Sequence, residues 1–137
     1  MKKNKYKAIG FDYNGVISDG HFIDYQILKL VDKLRANGYK LGLLSNFGHS
    51  GAERIRELGI TEHFDAFHAS GETGYAKPQP EAFINLAKEL GVAVTELVYI
   101  DDSPYSLSNA EKTGFYPILY TGFGELQVEL GSLGIKH

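Results

Sequence analysis

The stretch Ile9-Gly10-Phe11-Asp12-Tyr13-Asn14-Gly15-Val16-Ile17 decides the fold of this chain. In it a short apolar run ends at a carboxylate, Asp12, and an Asn-Gly pair breaks the chain two residues later. This pattern is typical of a buried strand that ends in a tight turn. In open α/β sheets, functional groups lie beyond the carboxyl ends of the strands. Asp12 is therefore the first candidate functional residue.

Three later segments repeat the order of an apolar run followed by a polar group. The runs are 41–44, 64–69 and 97–100, and they are followed by Ser45 with Asn46, by Lys77 in a loop, and by Asp101 with Asp102. Because the carboxyl ends of parallel strands meet at one edge of a sheet, we expect these side chains to lie together. That edge would collect carboxylates, a hydroxyl, an amide and an ammonium group.

Helices alternate with the strands in the predicted order of elements. Strands are predicted at 6–11, 41–44, 64–69, 97–100 and 115–120, and helices at 24–36, 50–58, 80–90, 103–113 and 125–133. Ser50 with Glu53 forms a predicted capping box, and Ser103 before Pro104 predicts the start of the fourth helix. The alternation favours an α/β fold with a parallel sheet and helices on both faces, in one domain, residues 1–137.

The composition argues against several classes of protein. The chain has 137 residues, a formal net charge of −3 and no cysteine. The scattered Lys and Arg residues form no basic stripe, which argues against a nucleic-acid or membrane partner. Without cysteine there is no disulfide or thiolate metal site, and we expect a reducing compartment, the cytoplasm. The basic start, residues 1–7, is followed by too few apolar residues for a signal peptide and is expected to be solvated.

The carboxylates at the predicted sheet edge favour a metal ion. Asp12, Asp101 and Asp102 would follow two strands that are expected to be neighbours. Two carboxylates roughly 5 Å apart, at an effective dielectric constant near 20, repel by about 3 kcal/mol, so keeping both ionised requires a cation. Oxygen ligands without a nearby histidine or cysteine favour Mg²⁺, which retains several waters and often bridges to phosphate.

Ser45, Asn46 and Lys77 predict an anion site beside this metal site. A hydroxyl, an amide and backbone N–H groups ahead of a helix can hold phosphate oxygens, and an ammonium group adds positive charge. Together with a carboxylate and Mg²⁺, they indicate a site for a phosphoryl group. A phosphorylated substrate, either a small molecule or a macromolecule, is the expected partner.

Four segments of the chain resemble, in order, the four motifs of the haloacid dehalogenase (HAD) superfamily, and the last two are most similar to its subfamily I hydrolases. They are Asp12-Tyr13-Asn14-Gly15-Val16, Leu43-Leu44-Ser45-Asn46, Lys77-Pro78-Gln79-Pro80-Glu81-Ala82-Phe83 and Val98-Tyr99-Ile100-Asp101-Asp102-Ser103. Four motifs in the right order are far more specific than any one of them. The resemblance implies a three-layer Rossmann-like core whose five-stranded parallel sheet has the order 5-4-1-2-3.

The resemblance also implies a role for each candidate residue. Asp12 would be the nucleophile that forms an aspartyl-phosphate. Asp12, the backbone carbonyl of Asn14 and Asp102 would hold Mg²⁺, with Asp101 in support. Ser45 and Lys77 would bind the transferring phosphoryl group. The implied function is a Mg²⁺-dependent phosphomonoester hydrolase.

One departure from the family pattern concerns proton transfer. HAD phosphatases usually carry a second aspartate two residues after the nucleophile, where this chain has Asn14. That aspartate is the general acid and base, an amide cannot replace it, and its loss typically lowers the rate by about 10²–10⁴. Slow turnover, favouring aryl or acyl phosphates, is therefore expected. Asp19 and His21, in a predicted flap at 13–22, could contact the substrate or replace the missing proton donor; the simpler interpretation is a surface turn.

The second departure is the lack of room for a cap domain. One helix and one strand lie between Gly20 and Ser45, and the same holds between Ser45 and Lys77, whereas a domain typically needs about 50 residues. Capless family members tend to act on macromolecules or to cover their site by oligomerising. A catalytically impaired phosphate-binding or regulatory module is the alternative function. Carbon–halogen hydrolysis ranks last because it needs residues carried by a cap.

Overall fold

A computed structural model describes residues 5–137 of the chain. Its strands are β1 (Ala8–Phe11), β2 (Lys40–Ser45), β3 (Ala66–Ala69), β4 (Leu97–Asp101) and β5 (Tyr116–Leu119). Its α-helices are α1 (Tyr25–Ala36), α2 (His49–Glu57), α3 (Ser70–Thr73), α4 (Pro80–Glu89), α5 (Ala110–Thr113) and α6 (Phe123–Ser132), with 3₁₀ helices at Ile60–His63 and Val94–Glu96. Residues 1–7 were expected to be solvated, and residues 1–4 of that segment lie outside the described range.

The five strands form one parallel sheet in the order β3-β2-β1-β4-β5. This is the predicted order 5-4-1-2-3 read from the other edge, so the predicted α/β fold is confirmed. β1 is central, and its last residue, Phe11, pairs with Leu43 of β2 and Ile100 of β4. The chain therefore leaves β1 at Asp12 between the ends of two neighbouring strands, which is where open α/β sheets bind ligands.

Two apolar layers cover the sheet. One face packs against α1, α2 and α6 through residues such as Ile27, Ile55 and Leu130. The other face packs against α4 and α5 through residues such as Phe83 and Ala110. All four residues of β1 are buried, as expected for a central strand of a parallel sheet. The helices thus form the two outer layers of a three-layer fold.

Gly10 in β1 makes room for an aromatic side chain of the next strand. A Cβ atom at Gly10 would lie 2.8 Å from the ring of Tyr99. Such a contact is too close for carbon atoms, so the missing side chain allows the ring to pack against β1. Gly42 in β2 likewise leaves room for a neighbouring side chain, because a Cβ atom there would lie 3.0 Å from Leu86 of α4.

The predicted capping box of α2 is wrong. The helix begins at His49 after Gly48, and it has no side-chain cap. Ser50 therefore lies inside the helix. Glu53 binds Arg56 at 2.7 Å instead of returning to the start of the helix. The Glu53 carboxylate, which the capping box required, is thus engaged in an ion pair with Arg56.

The long helix predicted from Ser103 does not form. Residues 104–109 make successive tight turns, and only Ala110–Thr113 is α-helical. The side-chain amide of Asn109 donates to the carbonyl of Pro78 at 2.9 Å, which ties this segment to the neighbouring loop. A tertiary contact has therefore overridden local helix-start signals. The predicted loop that carries Lys77 also differs, because the chain after β3 first forms the short helix α3.

The connections after β1 and β2 are short. Between β1 and β2 the chain forms the flap, residues 13–22, and then α1. The flap is held by bridges between Asn14 and Ser18 and between Ser18 and Ile23. Between β2 and β3 lie α2 and one 3₁₀ helix. Within residues 5–137, no helix has the length and hydropathy needed to cross a membrane.

Candidate active site

The carboxyl ends of β1, β2 and β4 bring the candidate residues to one edge of the sheet. Asp12 follows β1, and its N–H donates to the carbonyl of Ile100 at 2.9 Å. Asp101 is the last residue of β4, and its carbonyl accepts from the N–H of Tyr120 at 2.8 Å. Ser45 is the last residue of β2. Hydrogen bonds between the strands therefore fix the backbone that carries these side chains.

Lys77 joins two of these strand ends. Its Nζ atom donates to Asp12 Oδ1 at 2.7 Å, to Asp101 Oδ2 at 2.8 Å and to the hydroxyl of Tyr99 at 2.9 Å. Three partners match the three N–H donors of an ammonium group. The side chain is only 3% exposed, so the charge depends on these partners. The lysine predicted to bind a phosphoryl group is thus also the centre of a buried charge cluster.

Asn46 holds the backbone of Lys77. Its side-chain Oδ1 accepts from the Lys77 N–H at 2.9 Å, and its Nδ2 donates to the Lys77 carbonyl at 3.0 Å. Both halves of the amide are therefore engaged. We assign Asn46, expected from the sequence to bind substrate, to the positioning of Lys77.

Tyr99 is a site residue that the sequence analysis did not single out. Its hydroxyl lies 3.0 Å from Asp101 Oδ2 and 3.2 Å from the carbonyl of Leu44, and it accepts from Lys77. Burial, followed by the charges of Asp12 and Asp101, raises the pKa of Tyr99 well above its ordinary value, so the phenol stays protonated. A signal was present, because residues two apart on a strand share a face and Tyr99 therefore accompanies Asp101.

The charge cluster is too negative for its surroundings. Asp12, Asp101 and Asp102 lie together with the ammonium group of Lys77. Burial raises the pKa of Asp12, Lys77 lowers it and Asp101 raises it again, with a resulting pKa of about 7. The ionised form of Asp12 is thus disfavoured, chiefly by its burial, and positive charge nearby would stabilise it. The site therefore favours a bound cation or a bound proton.

The three carboxyl groups are close enough to share a metal ion, but they are not equivalent. One oxygen atom from each of Asp12, Asp101 and Asp102 lies within 4.8 Å of the others. Asp101 Oδ2 already accepts from Lys77, and Asp101 Oδ1 accepts from the N–H of Ser103 at 2.9 Å. Asp101 is thus suited to a supporting role, while Asp12 and exposed Asp102 keep oxygen atoms for a ligand.

The turn after Asp12 supplies a further oxygen atom. Its hydrogen bonds use the carbonyls of Tyr13 and Ser18, and no N–H of residues 5–137 donates to the carbonyl of Asn14. Asn14 lines the same cavity as Asp12 and Asp102. Two carboxylates, a carbonyl and space for water form a donor set that fits a hard cation such as Mg²⁺.

Gly15 is required by the position of Asp102. Its φ angle is +90°, which a residue with a side chain rarely adopts. A Cβ atom at this position would also overlap the Asp102 carboxylate. The Asn-Gly pair of the flap therefore lets the carboxylate of Asp102 lie directly against the turn.

These groups line a small cavity of about 170 Å³. Its walls include Asp12, Asn14, Ser45, Lys77 and Asp102. The Ser45 hydroxyl has no hydrogen-bond partner among residues 5–137, although the residue is only 2% exposed. Among the described residues, only Thr113 Oγ1 is a fully buried side-chain oxygen without a partner, so the Ser45 hydroxyl opens onto the cavity and is available to a ligand oxygen.

The flap residues considered as substitute proton donors lie outside this cavity. Asp19 Oδ1 accepts from the N–H groups of His21 at 2.9 Å and Phe22 at 2.8 Å. The N–H groups of Phe22 and His21 hold the pKa of Asp19 below its ordinary value. Asp19 is thus an ionised turn residue outside the active-site cavity, which argues against its serving as the proton donor.

The profile of the haloacid dehalogenase-like hydrolases matches residues 24–110. This segment is more than half of the chain. The chain belongs to the HAD-like hydrolase family. The matched segment contains Ser45, Lys77, Asp101 and Asp102, whereas Asp12 and Asn14 precede it.

Several proteins similar to this HAD-like chain are named phosphatases. It is 36% identical over 77 residues to glyceraldehyde 3-phosphate phosphatase of Methanopyrus kandleri (56% of this chain, 33% of that protein). It is 30% identical over 86 residues to the putative pyrophosphatase PpaX of Clostridium perfringens (62% and 40%). It is 24% identical over 103 residues to phosphoglycolate phosphatase of Escherichia coli K12 (74% and 41%). The chain thus spans about a third to two fifths of the length of these relatives.

Solved structures share the HAD-like core along most of the chain. An uncharacterised protein from Corynebacterium glutamicum superposes with a TM-score of 0.82 at 30% identity, over 96% of this chain and 97% of that one. A HAD family enzyme from Bacteroides thetaiotaomicron, in complex with magnesium and inorganic phosphate, superposes with a TM-score of 0.65 at 25% identity, over 76% and 57%. The first match extends over β1 and the flap, which the family profile leaves out.

Proposed function

We propose that this HAD-like chain is a Mg²⁺-dependent phosphatase-type hydrolase that cleaves phosphomonoesters through an aspartyl-phosphate, slowly because of Asn14. The observation that carries the proposal is the buried cluster of Asp12, Lys77 and Asp101 on the wall of a cavity that Asp102 also lines. Membership of the family and the phosphatases among the relatives support the reaction class.

Asp12 is the proposed nucleophile. Lys77 binds its Oδ1 atom, which leaves Oδ2 to attack phosphorus. The new O–P bond forms while the bond to the ester oxygen breaks, and the leaving oxygen keeps the electron pair. Water then attacks the aspartyl-phosphate, so that inorganic phosphate leaves and the Asp12 carboxylate is restored.

Ser45 and Lys77 are the proposed ligands of the phosphoryl oxygens. The Ser45 hydroxyl lines the cavity and is free to donate. When Asp12 becomes an acyl phosphate, its carboxylate charge is lost, and the Lys77 ammonium group can bind the oxygens of the transferred phosphoryl group. Donors fixed where charge develops stabilise the transition state without further reorganisation.

The residues that would hold Mg²⁺ are Asp12, Asp102 and the carbonyl of Asn14, with Asp101 in support. The ion, when bound, supplies positive charge that offsets repulsion between carboxylates and phosphate. The elevated pKa of Asp12 is consistent with this need. The magnesium and phosphate bound to the Bacteroides enzyme support the same pair of ligands here.

A phosphatase assay with and without Mg²⁺ tests the proposal. The parent is expected to release phosphate from an aryl phosphate only with Mg²⁺, and Asp12→Asn is expected to release none. Asn14→Asp restores a proton donor and is expected to raise kcat on an alkyl phosphate by about 10²-fold or more. Gln127→Glu, at an exposed amide on α6 that lines neither the active-site cavity nor the site of proton transfer, controls for the added charge and should change nothing. An unchanged alkyl rate in Asn14→Asp would show that proton transfer is not limiting.

A phosphate-binding or regulatory module is the second candidate, and Asn14 is the observation that favours it. Such a module would keep Asp12, Lys77 and Ser45 as a phosphate site without turnover. Rapid mixing with an aryl phosphate separates the two functions. Continued release of the phenol indicates an enzyme, whereas a single stoichiometric burst or tight phosphate binding alone indicates a module.

A further inference from the structure

A second, larger cavity adjoins the active site on the side of the flap. It has a volume of about 430 Å³. We call it the flap cavity, and the residues that matter here are Gly15, Asp19, Phe22, Asp24, Tyr25 and Tyr120. Gly15 belongs to its wall and also lies against the Asp102 carboxylate, while the preceding residue, Asn14, lines the active-site cavity. The two cavities are therefore neighbours across a single turn.

The wall of the flap cavity exposes two aromatic rings. Phe22 is 76% and Tyr25 is 74% exposed, and neither ring belongs to the two apolar clusters of the core. Tyr120 contributes a third ring, which is partly buried. Aromatic side chains on a cavity wall offer flat apolar surface with a negative face. Such a wall suits a planar ring better than a flexible sugar or an aliphatic acid.

The charges on this wall are negative. Asp19 and Asp24 line the flap cavity, and no lysine or arginine does so among the described residues. Burial, then Asp24 and Glu125, raise the pKa of Tyr120, which places a third carboxylate nearby. The N-terminus of α1 cannot offset this charge, because Asp24 already accepts from the N–H groups of Gln26 and Ile27. An anionic group would be repelled here, and a cation would be attracted to both carboxylates and rings.

The active-site cavity adds an independent constraint. Asp12 is committed as nucleophile, the hydrogen bonds of Lys77 are used within the protein, and Asn14 cannot give up a proton. A leaving oxygen must then depart as an anion, and a phenoxide is far more stable than an alkoxide. Chemistry and cavity shape thus favour the same class of compound.

We propose that the flap cavity binds the leaving group of the substrate, and that this group is an aromatic ring with a positive rather than a negative substituent. The inference rests on the proposed hydrolysis at Asp12. In the reaction the P–O bond to the ring breaks, the phenoxide keeps the electron pair and takes a proton from water, and Asp12 receives the phosphoryl group. The expected substrates are aryl phosphates such as 3-(aminomethyl)phenyl phosphate.

A matched series of substrates tests the charge preference. We would measure kcat/KM with Mg²⁺ for phenyl phosphate, 3-carboxyphenyl phosphate and 3-(aminomethyl)phenyl phosphate. The aminomethyl compound is expected to exceed the carboxy compound by about tenfold or more, as for a charge held near two carboxylates. The double variant Asp19→Asn/Asp24→Asn should bring this ratio close to one. Asparagine preserves both the turn at 19 and the cap at 24, so the fold is expected to survive.

The control is Glu57→Gln/Glu111→Gln, which removes two exposed charges from α2 and α5 and should leave the ratio unchanged. A ratio near one in the parent, or an equal fall of the ratio in this control, would overturn the proposal. Turnover of all three compounds at similar rates would support the proposed hydrolysis and contradict only the binding of the leaving group in the flap cavity.

Ring binding can be measured without catalysis. Saturation-transfer NMR with benzyltrimethylammonium, in the absence of Mg²⁺, should give a signal that is lost in Phe22→Ala/Tyr25→Ala and retained in Tyr105→Ala, which removes an aromatic ring of 71% exposure outside the cavity. Benzoate should give a much weaker signal. Equal signals from both probes, or a signal that survives in Phe22→Ala/Tyr25→Ala, would refute the binding of a cationic ring in the flap cavity. Selective ring binding without hydrolysis of any ester would uphold the cavity and refute the proposed hydrolysis, and with it the leaving-group role.

Discussion

Lys77 balances two buried carboxyl groups with a single charge. Asp12 and Asp101 lie 2.7 and 2.8 Å from its Nζ atom, and the side chain of Asp101 is 1% exposed. Removing one member of a buried ion pair leaves the other charge without compensation, which typically costs 3–5 kcal/mol. The lysine thus stabilises the fold as well as the proposed reaction.

We expect Lys77→Met to lower the free energy of unfolding at pH 8 by about 3–5 kcal/mol in the absence of Mg²⁺. Urea unfolding followed by circular dichroism measures this. Lys88→Met, on the exposed side of α4, is the matched control and should cost less than about 0.5 kcal/mol. Equal effects of the two variants would mean that the buried ion pairs contribute little.

The raised pKa of Asp12 predicts a pH dependence of stability. The folded protein holds this proton up to pH 7, whereas the unfolded chain releases it near the ordinary value of 3.8. The folded state therefore binds more protons between these values, and its stability falls as pH rises from about 4 to 7. Asp12→Asn carries no such proton and should become more stable than the parent at pH 8 without Mg²⁺.

The measurement is the difference in unfolding free energy between parent and Asp12→Asn, taken from pH 4.5 to 8 in EDTA. As pH rises, the parent should lose stability relative to Asp12→Asn, and the difference should become constant above about pH 7. A difference that does not change with pH would mean that the pKa of Asp12 in the folded protein is close to its ordinary value.

At the same scale, the sequence predicted which side chains meet at the sheet edge, while their roles in binding and catalysis stay predictions. Asp12, Ser45, Lys77 and Asp102 line one cavity, as a sheet edge formed by parallel strands requires. Tyr99 escaped notice because an aromatic residue in an apolar run is usually a core residue. The function of Asn46 could not be read either, because it depends on where a loop 31 residues away returns to the sheet.

Among the elements, the turn after β1 links the backbone to the proposed metal site. Gly15→Ala would introduce a side chain at φ +90° and overlap the Asp102 carboxylate. Gly20→Ala, at φ +100° with nothing within 4 Å of the new Cβ atom, carries the backbone penalty alone. We expect both variants to lose about 1–2 kcal/mol of stability.

Only Gly15→Ala should also weaken Mg²⁺ binding, by about tenfold or more, since it displaces a ligand. Isothermal titration calorimetry of both variants with Mg²⁺ checks this. Equal Mg²⁺ affinity in Gly15→Ala and Gly20→Ala would show that the position of Asp102 does not matter to the ion.

The strands were easier to predict than the helix starts. β1 and β4 are fully buried and β2 is buried after its first residue, so hydrophobic burial indicates where these strands lie. The edge strand β5 buries only Ile118, and the HAD resemblance gave the order of the sheet. The segment from Ser103 carried local signals for a helix and still formed turns, because Asn109 binds Pro78 across the loop. Such a contact between distant segments has no signature in a window of neighbouring residues.

At the scale of the whole molecule, Mg²⁺ is expected to act as a stabilising ligand. A ligand at 100 times its Kd stabilises the folded state by about 2.7 kcal/mol, which for a chain of this size corresponds to roughly 8–10 °C in Tm. Saturating Mg²⁺ at pH 8 should therefore raise the Tm of the parent by this amount.

Asp102→Asn should remove most of this shift, while its own Tm without Mg²⁺ should remain close to that of the parent because Asp102 is exposed. Thermal scans of both proteins with Mg²⁺ and with EDTA provide the measurement. An identical Mg²⁺ shift in the two proteins would assign the ion to another part of the molecule.

The contact between Gly10 and Tyr99 has a consequence for how the chain can change over time. The Tyr99 ring packs edge-on against Phe83, with ring centroids 5.0 Å apart, and Phe83 stacks on Phe115 at 4.2 Å. The hydroxyl of Tyr99 accepts from Lys77, so the position of this lysine depends on a stack of aromatic rings in the hydrophobic core. Selection for activity would then restrict core residues that do not contact a substrate. Substitutions that shift these rings would displace Lys77 before they unfolded the protein.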